Sequence, residues 1–419
     1  MVWLLFFLIF VMLCLPMSFM GVKAASLFVL IVLSSYIITK STSKTYRSKY
    51  IYWFFLYFLS GLCALAYGML KGNPGPRFFL LSYLIWPIVF PLIFSLFKVT
   101  SLFKILRLFE KAYIFLLITG TIAFLQMNFG LFPFINIEFL GYELSEYERP
   151  MYLFISPSGP AIVSFFILFS FLLPYYCIDN NRLTVRKLIM LFFGFLYIVI
   201  SSRRVMMFGF IYIPVLFLLL TNISNGYSKV QSRKTLIVYT LPIICLFFGI
   251  GYIFADIDNF SLFFSSAFSS EGDFGSGENV RLDQRDALLK GWYDNVFFGA
   301  GTGINASVVR NDIPGVYELS YYAILFERGL IGGLIYFGLL LIPVVWTVRL
   351  VKNCKNRDLS AFLLSYAVCY LSLLIANATN PYIGAFDFMW VIFLFISILN
   401  IVEKTIIYER KSMCDYKGV

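Results

Sequence analysis

The chain opens with residues 2–20, VWLLFFLIFVMLCLPMSFM, a run without a single charged side chain. A helix of this length nearly crosses the hydrocarbon core of a bilayer, which takes about 20 apolar residues at 1.5 Å per residue. Similar runs recur along the 419 residues. Their apolar residues are continuous rather than alternating, which favours helices over the strands of a barrel. We therefore predict an all-α polytopic membrane protein in which this run is the first span.

The sequence predicts about twelve transmembrane helices within a single membrane domain, residues 1–419. The predicted spans are residues 2–20, 24–39, 50–70, 78–97, 112–132, 153–176, 188–202, 205–221, 235–255, 321–348, 359–376 and 385–402. Most connections between them are short, but residues 256–320 separate the ninth span from the tenth. A loop of this length without secondary structure or function is unusual. We therefore expect a large, partly helical outer loop at 256–320.

The composition excludes soluble, disordered and fibrous proteins. Hydrophobic residues make up 60% of the chain and charged residues 13%, against about 25% charged residues in soluble domains. The chain has no histidine, which removes imidazole as a base, a nucleophile or a metal ligand. None of the seven cysteines lies in a predicted outer loop. The sequence therefore predicts no metal, no cofactor and no extracellular disulfide.

The net charge of +11 is distributed as an orientation signal. With the amino terminus in the cytoplasm, every predicted inner loop is basic, and most of the 22 acidic residues lie in outer segments. Cytoplasmic loops of membrane proteins carry such an excess of Lys and Arg. The charge thus argues against nucleic acid as a partner, and both termini are predicted to be cytoplasmic.

Two arginines interrupt this pattern. The sequence Ser-Ser-Arg-Arg at residues 201–204 connects two short apolar runs, which places Arg203 and Arg204 at or slightly below the outer membrane surface. Charges at such depth are costly and commonly functional. The alternative is an ordinary turn whose arginines extend to the lipid headgroups.

The large outer loop contains a predicted amphipathic helix near residues 280–293. Arg281, Arg285, Leu288 and Trp292 recur at helical spacing on one face. We expect this helix to lie on the membrane with Leu and Trp inward and the arginines along the surface. Guanidinium groups bind phosphate or pyrophosphate in a bidentate manner. The alternative is a loop helix whose charges pair with neighbouring aspartates.

Two further features follow this helix. Gly299, Gly301 and Gly303 alternate as GxGxG, which differs from the GxGxxG of dinucleotide sites and follows no strand. These glycines are expected to permit tight turns or the close approach of a ligand. Glu318 precedes an aromatic helix, where burial near arginines suits a general base. The alternative for Glu318 is an acid that stabilises a helix N-terminus.

In this order, the motifs resemble those of the O-antigen polymerase and ligase superfamily of bacterial membrane proteins, which includes Wzy-type polymerases. The matching residues, between about 200 and 335, are Ser202-Arg203, Arg285, Trp292, Gly299–Gly303, Tyr321 and Glu327-Arg-Gly329-Leu-Ile-Gly332. Each motif is short, so their order carries the resemblance, and the first half of the chain matches only in hydropathy. Glu318 stands where ligases have histidine, which favours a polymerase.

The resemblance implies a GT-C-like membrane enzyme of the bacterial cell membrane. It would transfer glycan from undecaprenyl pyrophosphate to a sugar hydroxyl of another lipid-linked repeat on the outer face. The implied catalytic residues are Glu318, Arg285 and Arg203. The implied substrate-binding residues are Arg204, Arg281, Trp292, Gly301 and Tyr321. The resemblance does not decide whether Arg203 or Arg204 takes the family role.

The implied partners are the undecaprenyl-pyrophosphate-linked oligosaccharide, the lipid bilayer and a chain-length regulator protein. Two other functions remain open. An O-antigen ligase would join finished glycan to a lipid or protein acceptor. A transporter or flippase suits twelve spans, but we find no ionisable residue well inside a predicted span except Asp387, whereas coupled transport uses such residues.

Overall fold

The chain is a helical, multi-pass membrane protein. The computed structural model describes residues 2–40, 46–144, 157–178, 184–201, 203–224, 276–309 and 314–416. Within these ranges, eight helices are long and apolar enough to cross a membrane, and residues 2–14 and 209–224 form shorter apolar helices. The predicted all-α polytopic class is therefore confirmed.

The described segments form the following elements. The helices are α1 (Val2–Cys14), α2 (Met20–Lys40), α3 (Ser48–Leu70), α4 (Trp86–Phe94), α5 (Val99–Phe129), α6 (Pro160–Cys177), α7 (Val185–Ile200), α8 (Arg204–Met207), α9 (Gly209–Ser224), α10 (Ser276–Tyr293), α11 (Ser320–Asn353), α12 (Arg357–Asn377) and α13 (Phe386–Tyr416). Short 3₁₀ helices lie at Pro76–Phe79 and Tyr382–Gly384, and a π-helix lies at Leu81–Ile85. Strand β1 (Glu143–Leu144) pairs antiparallel with strand β2 (Pro157–Ser158).

Helices and predicted spans differ at their ends for local reasons. Helix α1 ends at Cys14, two residues before Pro16, which has no amide hydrogen to continue the helix. Helix α5 begins well before the predicted residue 112, because Lys98 and Ser101 form a capping box ahead of its first turn. The predicted ninth span, 235–255, lies outside the described residues. The count of twelve spans stays a prediction.

Three helices form the centre of the bundle. Nearly every residue of α6 and α12, and most of α13, is buried, as expected for helices that are apolar on all sides. Helices α2, α3 and α11 bury only about a third of their apolar windows. Their outer faces expose large apolar side chains such as Phe28, Phe55 and Leu334. These outer faces are the surfaces that a bilayer covers.

The loops gather at two opposite ends of the bundle. At one end, Ser82 Oγ between α3 and α4 donates to the Gly384 carbonyl between α12 and α13, at 3.0 Å. At the other end, Lys49 Nζ lies 2.8 Å from Glu403 Oε1 on α13. Each contact joins segments that the alternation of spans predicts on the same side of the membrane. We call the first end, which also carries Arg203 and Glu318, the site end.

A buried ion pair fixes the turn between α1 and α2 at the site end. Lys23 Nζ lies 2.6 Å from Asp387 Oδ1, with 1% and 6% of the two side chains exposed. Lys23 also donates to the Leu15 carbonyl at 2.9 Å, and the Met17 amide donates to Asp387 Oδ2 at 3.0 Å. The prediction that Asp387 is the only ionisable residue inside a span was wrong, because α2 begins at Met20 and buries Lys23.

Removal of one partner should reveal how much the fold depends on this pair. We expect Lys23→Met to leave the Asp387 carboxylate buried without its cation, which costs about 3–5 kcal/mol. The measurement is the melting temperature of the purified protein in detergent.

Two further variants make this result specific. The double variant Lys23→Met, Asp387→Leu should recover most of the lost stability, because neither charge then remains buried alone. Lys40→Met, an exposed position at the end of the same helix, should melt like the parent. A single Lys23 variant as stable as the parent would contradict the role of the pair.

Candidate functional site

Tyr382 lies in the short connection between α12 and α13 at the site end. The Tyr382 amide donates to the Asn380 carbonyl at 2.8 Å. The amide of the next residue, Ile383, donates to Asn377 Oδ1 at 2.8 Å. The Tyr382 ring also packs edge-on against Phe388 with 6.2 Å between the ring centroids. These contacts hold the phenol in a fixed, partly buried position.

Three of the residues predicted from sequence carry charges that influence this phenol. Burial raises the pKa of Tyr382 above its usual value, the positive charges of Arg203 and Arg281 lower it, and the negative charge of Glu318 raises it. Charges influence a titrating group in this way only over short distances. Arg203, Arg281 and Glu318 therefore lie near Tyr382, although they come from distant parts of the chain.

Arg281 and Glu318 form the central contact of this group. The Arg281 Nε atom on α10 lies 2.6 Å from Glu318 Oε2, just before the start of α11. A charge-assisted hydrogen bond of this kind is stronger than one between neutral groups. The two side chains are 41% and 20% exposed, so both remain accessible. Among the described residues, no cluster of three His, Cys, Asp or Glu side chains suits a metal ion.

Arg203 and Tyr382 also line a cavity of about 390 Å³. Its walls include the Phe386 ring, the Asn380 side chain and Asp387, whose carboxylate is the partner of Lys23. A largely apolar cavity with a few convergent polar groups is typical of small-molecule sites. The cavity therefore extends the Arg203 side of the site into the bundle.

Gln284 is a residue of this region that the sequence analysis missed. It lies on the same face of α10 as Arg281 and Leu288, three and four residues away. Its side chain is 1% exposed, and neither Nε2 nor Oε1 has a hydrogen-bond partner among the described residues. An amide left in this state costs about 1–3 kcal/mol for each unsatisfied group. Its helical spacing from Arg281 and Leu288 places it on their face of the helix, and this spacing could have identified it from the sequence.

Helix α10 packs on the protein rather than on the membrane. Leu288 is fully buried in a small core at the start of α11. The other members of this core are Ala300, Tyr317, Ala323 and Phe326. The prediction that Leu288 faces lipid was therefore wrong. The inward face of α10 also carries the buried Gln284, and Arg281 on this face reaches Glu318.

The glycine-rich loop connects α10 to a break in α11. Helix α11 is interrupted at Gly329, whose φ of 63° and ψ of −169° are nonhelical. The Gly301 amide donates to the Glu327 carbonyl at 2.8 Å, and the Gly303 amide donates to Glu327 Oε1 at 2.9 Å. A Cβ atom on Gly329 would lie 2.4 Å from the Gly299 nitrogen. The three alternating glycines thus serve close packing, and Gly301 is buried against protein rather than open to a ligand.

The other predicted arginines are placed differently. Arg285 Nε pairs with Asp286 Oδ1 at 2.8 Å, and the two side chains are 41% and 64% exposed. Arg285 is thus engaged by its neighbour on α10. Arg204 begins the short helix α8, but its side chain lies outside the described residues, as does Ser202. The structure therefore favours Arg281 over Arg285 as the α10 member of the site.

The two predicted aromatic contacts lie within the protein. Trp292 Nε1 donates to the Val296 carbonyl at 3.1 Å, which closes the turn after α10. The Tyr321 hydroxyl donates to the Leu374 carbonyl on α12. Both residues thus stabilise the walls around the site.

Helix α11 carries two buried ionisable residues that the sequence analysis did not weigh. Arg328 lies between the rings of Tyr83 and Tyr336, at 4.5 and 4.7 Å from the ring centroids. Such cation–π contacts stabilise a desolvated guanidinium. Glu327, beside it, is 4% exposed. The argument against a transporter from missing intramembrane charges is therefore weaker than the sequence indicated.

The Gly329 break is expected to tolerate no side chain. Gly329→Ala should destabilise the protein by about 1–3 kcal/mol through its backbone conformation alone, with the clash against the 299–303 loop in addition. The measurements are the melting temperature and the rate of proteolysis near α10. Gly338→Ala in the same helix is the control, because a Cβ atom there meets nothing within 4 Å. Equal behaviour of the two variants would contradict this role of Gly329.

No protein-family model matches the chain, and no curated protein matches it either. We therefore base the proposed function on the side chains that lie near Tyr382 and on the order of the motifs along the chain.

Proposed function

We propose that the chain is a polymerase of a bacterial surface polysaccharide, of the O-antigen or capsule type. Its donor would be glycan linked to undecaprenyl pyrophosphate, and its acceptor a sugar hydroxyl of another lipid-linked repeat. The observation that carries this proposal is the ion pair of Arg281 and Glu318 near the cavity that Arg203 and Tyr382 line, at one end of a membrane helix bundle. The order of the motifs in the sequence is the second support.

The proposed reaction exchanges one bond at the anomeric carbon of the donor. The acceptor oxygen forms a bond to this carbon, and the bond from the carbon to the pyrophosphate oxygen breaks. Glu318 takes the proton of the acceptor hydroxyl, and undecaprenyl pyrophosphate leaves with the bonding electrons. Arg203 and Arg281 stabilise the negative charge that develops on the leaving group. The step needs no additional reactant.

The contact between Arg281 and Glu318 suits this division of roles. At 2.6 Å, Arg281 fixes the carboxylate beside the position of the leaving group. Both side chains are partly exposed, so a hydroxyl and a pyrophosphate can reach them. Placing a base and a cation on rigid helix ends gives the precision that catalysis requires.

Tyr382 and Gln284 supply the uncharged groups of the proposed site. A phenol and a primary amide each donate and accept hydrogen bonds, which suits the hydroxyls of a sugar. The Gln284 amide, which has no hydrogen-bond partner among the described residues, lies on the same face of α10 as Arg281. We therefore assign Gln284 to substrate positioning within the proposed site.

The membrane placement follows from the bundle and the charge pattern. The Lys and Arg distribution supports a site end outside the cell and termini in the cytoplasm. The lipid tail of the donor would then lie in the bilayer along the helices, with its pyrophosphate at their ends. This geometry fits a donor that diffuses within the membrane.

A transporter of lipid-linked sugar is the second candidate, because the spans contain buried ionisable residues. Lys23 and Asp387 form one pair, and Glu327 and Arg328 lie buried in the first half of α11. Purified protein that moves lipid-linked sugar across the membrane of vesicles without chain growth would support this candidate.

A ligase would give a different result from both candidates. Deletion of its gene would leave long glycan on the carrier lipid.

Loss of either proposed leaving-group arginine should stop chain growth. We expect Arg203→Gln and Arg281→Gln to lower polymer synthesis by about 10²–10³-fold, the effect of removing one charge-stabilising donor. Arg285→Gln should have a smaller effect, since Arg285 pairs with Asp286. The measurement is the length distribution of surface polysaccharide in a deletion strain that carries each variant.

The deletion strain itself should show only single repeats. Arg186→Gln, an exposed position at the opposite end of the bundle, should restore full chains, and membrane immunoblots should show equal protein levels. Long chains in both the Arg203 and the Arg281 variants would exclude these residues from the site.

Gln284→Leu should change stability and activity in opposite directions. Replacing a buried amide that has no partner in the described part of the chain by an apolar group of similar size removes its desolvation cost, so the melting temperature should rise. Chain growth should fall, because sugar hydroxyls lose a hydrogen-bonding partner. Leu288→Met, on the same buried face, is the control and should retain chain growth. Higher stability with unchanged chain growth would show that Gln284 has no part in the reaction.

A further inference from the structure

An exposed group of aromatic side chains follows α10. Tyr293, Phe297 and Phe298, which we call the aromatic patch, are 67%, 61% and 66% exposed. Burying a side chain of this size is worth about 1.5–3 kcal/mol relative to leaving it in water. Large exposed apolar side chains grouped in one short segment indicate an interaction site. Something other than water should therefore cover the aromatic patch.

The aromatic patch is attached to α11 by backbone hydrogen bonds. The Leu330 amide donates to the Val296 carbonyl at 2.8 Å, and the Ile331 amide donates to the Phe297 carbonyl at 3.1 Å. These bonds lie directly after the break at Gly329. The first amides after such a break have no carbonyl partner within the helix, so they can donate to another segment. The patch and the second part of α11 are therefore one continuous surface.

That surface continues along a helix that is apolar and long enough to cross the membrane. Leu330, Ile331, Leu334 and Ile335 of α11 are 38% to 63% exposed. In a membrane protein, this outward face contacts lipid. The aromatic patch extends the same face beyond the break. The lipid that contacts α11 is therefore expected to reach Phe297 and Phe298 as well.

We propose that the aromatic patch inserts into the interfacial layer of the bilayer at the site end. The neighbouring residues set its depth. Lys290 precedes the aromatic patch along the chain and Asp294 lies between Tyr293 and Phe297, and both are exposed, which fits the level of the headgroups rather than the hydrocarbon. The Trp292 ring lies 5.3 Å from the Tyr293 ring. Trp and Tyr concentrate at this level of membranes, and Lys extends toward lipid phosphates.

This contact gives the loop a mechanical role that does not depend on the reaction. The patch lies at the end of α10, whose earlier turns carry Arg281. Inserting the patch fixes the depth of the whole helix relative to the lipid phosphates. The sequence analysis expected Leu288 to face the membrane, but Leu288 is buried in protein. In this proposal, residues 293–298 are the part of the loop that faces the membrane.

Spin labels in lipid nanodiscs test this placement. Phe297→Cys and Phe298→Cys would carry a nitroxide after serine has replaced the reactive native cysteines, and both positions are exposed enough to leave the packing intact. The measurement compares collisions with oxygen, which enters lipid, and with a water-soluble nickel complex. Leu334→Cys on α11 gives the lipid reference, and Asp286→Cys on the outer face of α10 gives the water reference.

We expect both patch positions to show an oxygen-to-nickel collision ratio higher than Asp286→Cys and lower than Leu334→Cys. A ratio equal to that of Asp286→Cys would overturn the proposal, because the patch would then lie in water. Low collision rates with both reagents would overturn it as well, since protein would then cover the patch. Neither result depends on any enzymatic activity.

Discussion

The break in α11 at Gly329 determines where the site can form. A helix interrupted inside a membrane leaves backbone groups that lipid cannot satisfy. Here the 299–303 loop supplies hydrogen-bond partners for these groups, as in the hydrogen bond from the Gly301 amide to the Glu327 carbonyl. The loop can approach this closely only because both segments lack a Cβ atom at the contact. A defect in a membrane helix thereby becomes the attachment point of an extramembrane helix.

The position of the charges follows from this attachment. Helix α10 leads directly into the attached loop, so Arg281 is held against the start of α11, where Glu318 stands. Arg203 comes from the turn after α7, and Tyr382 from the connection between α12 and α13. The central helices fix those two elements independently. Three separate parts of the fold therefore have to be correct before the proposed site exists.

The sequence predicts the residues that carry charge but not which of them meet. Hydropathy identifies the spans because lipid demands long apolar helices. Motif order singles out Arg203, Arg285 and the position of Glu318, and helical spacing adds Arg281. The choice between Arg281 and Arg285 depends on helix rotation, which Leu288 decides by entering the protein core. Gln284 was missed for the same reason, since a glutamine in a charged helix is typically exposed. Lys23 was missed because its helix begins earlier than hydropathy indicates.

The buried charges help to distinguish a transferase from a transporter. A coupled transporter needs ionisable groups that change partners as the protein changes shape. Lys23 is held by Asp387 and the Leu15 carbonyl, and Glu327 by the Gly303 amide. These contacts tie loops to helices, and their rupture would release the elements that carry the site. Buried charges whose contacts hold the fold together favour a rigid scaffold over a transporter. Arg281 and Glu318 are instead partly exposed, so we expect the proposed reaction to use this pair.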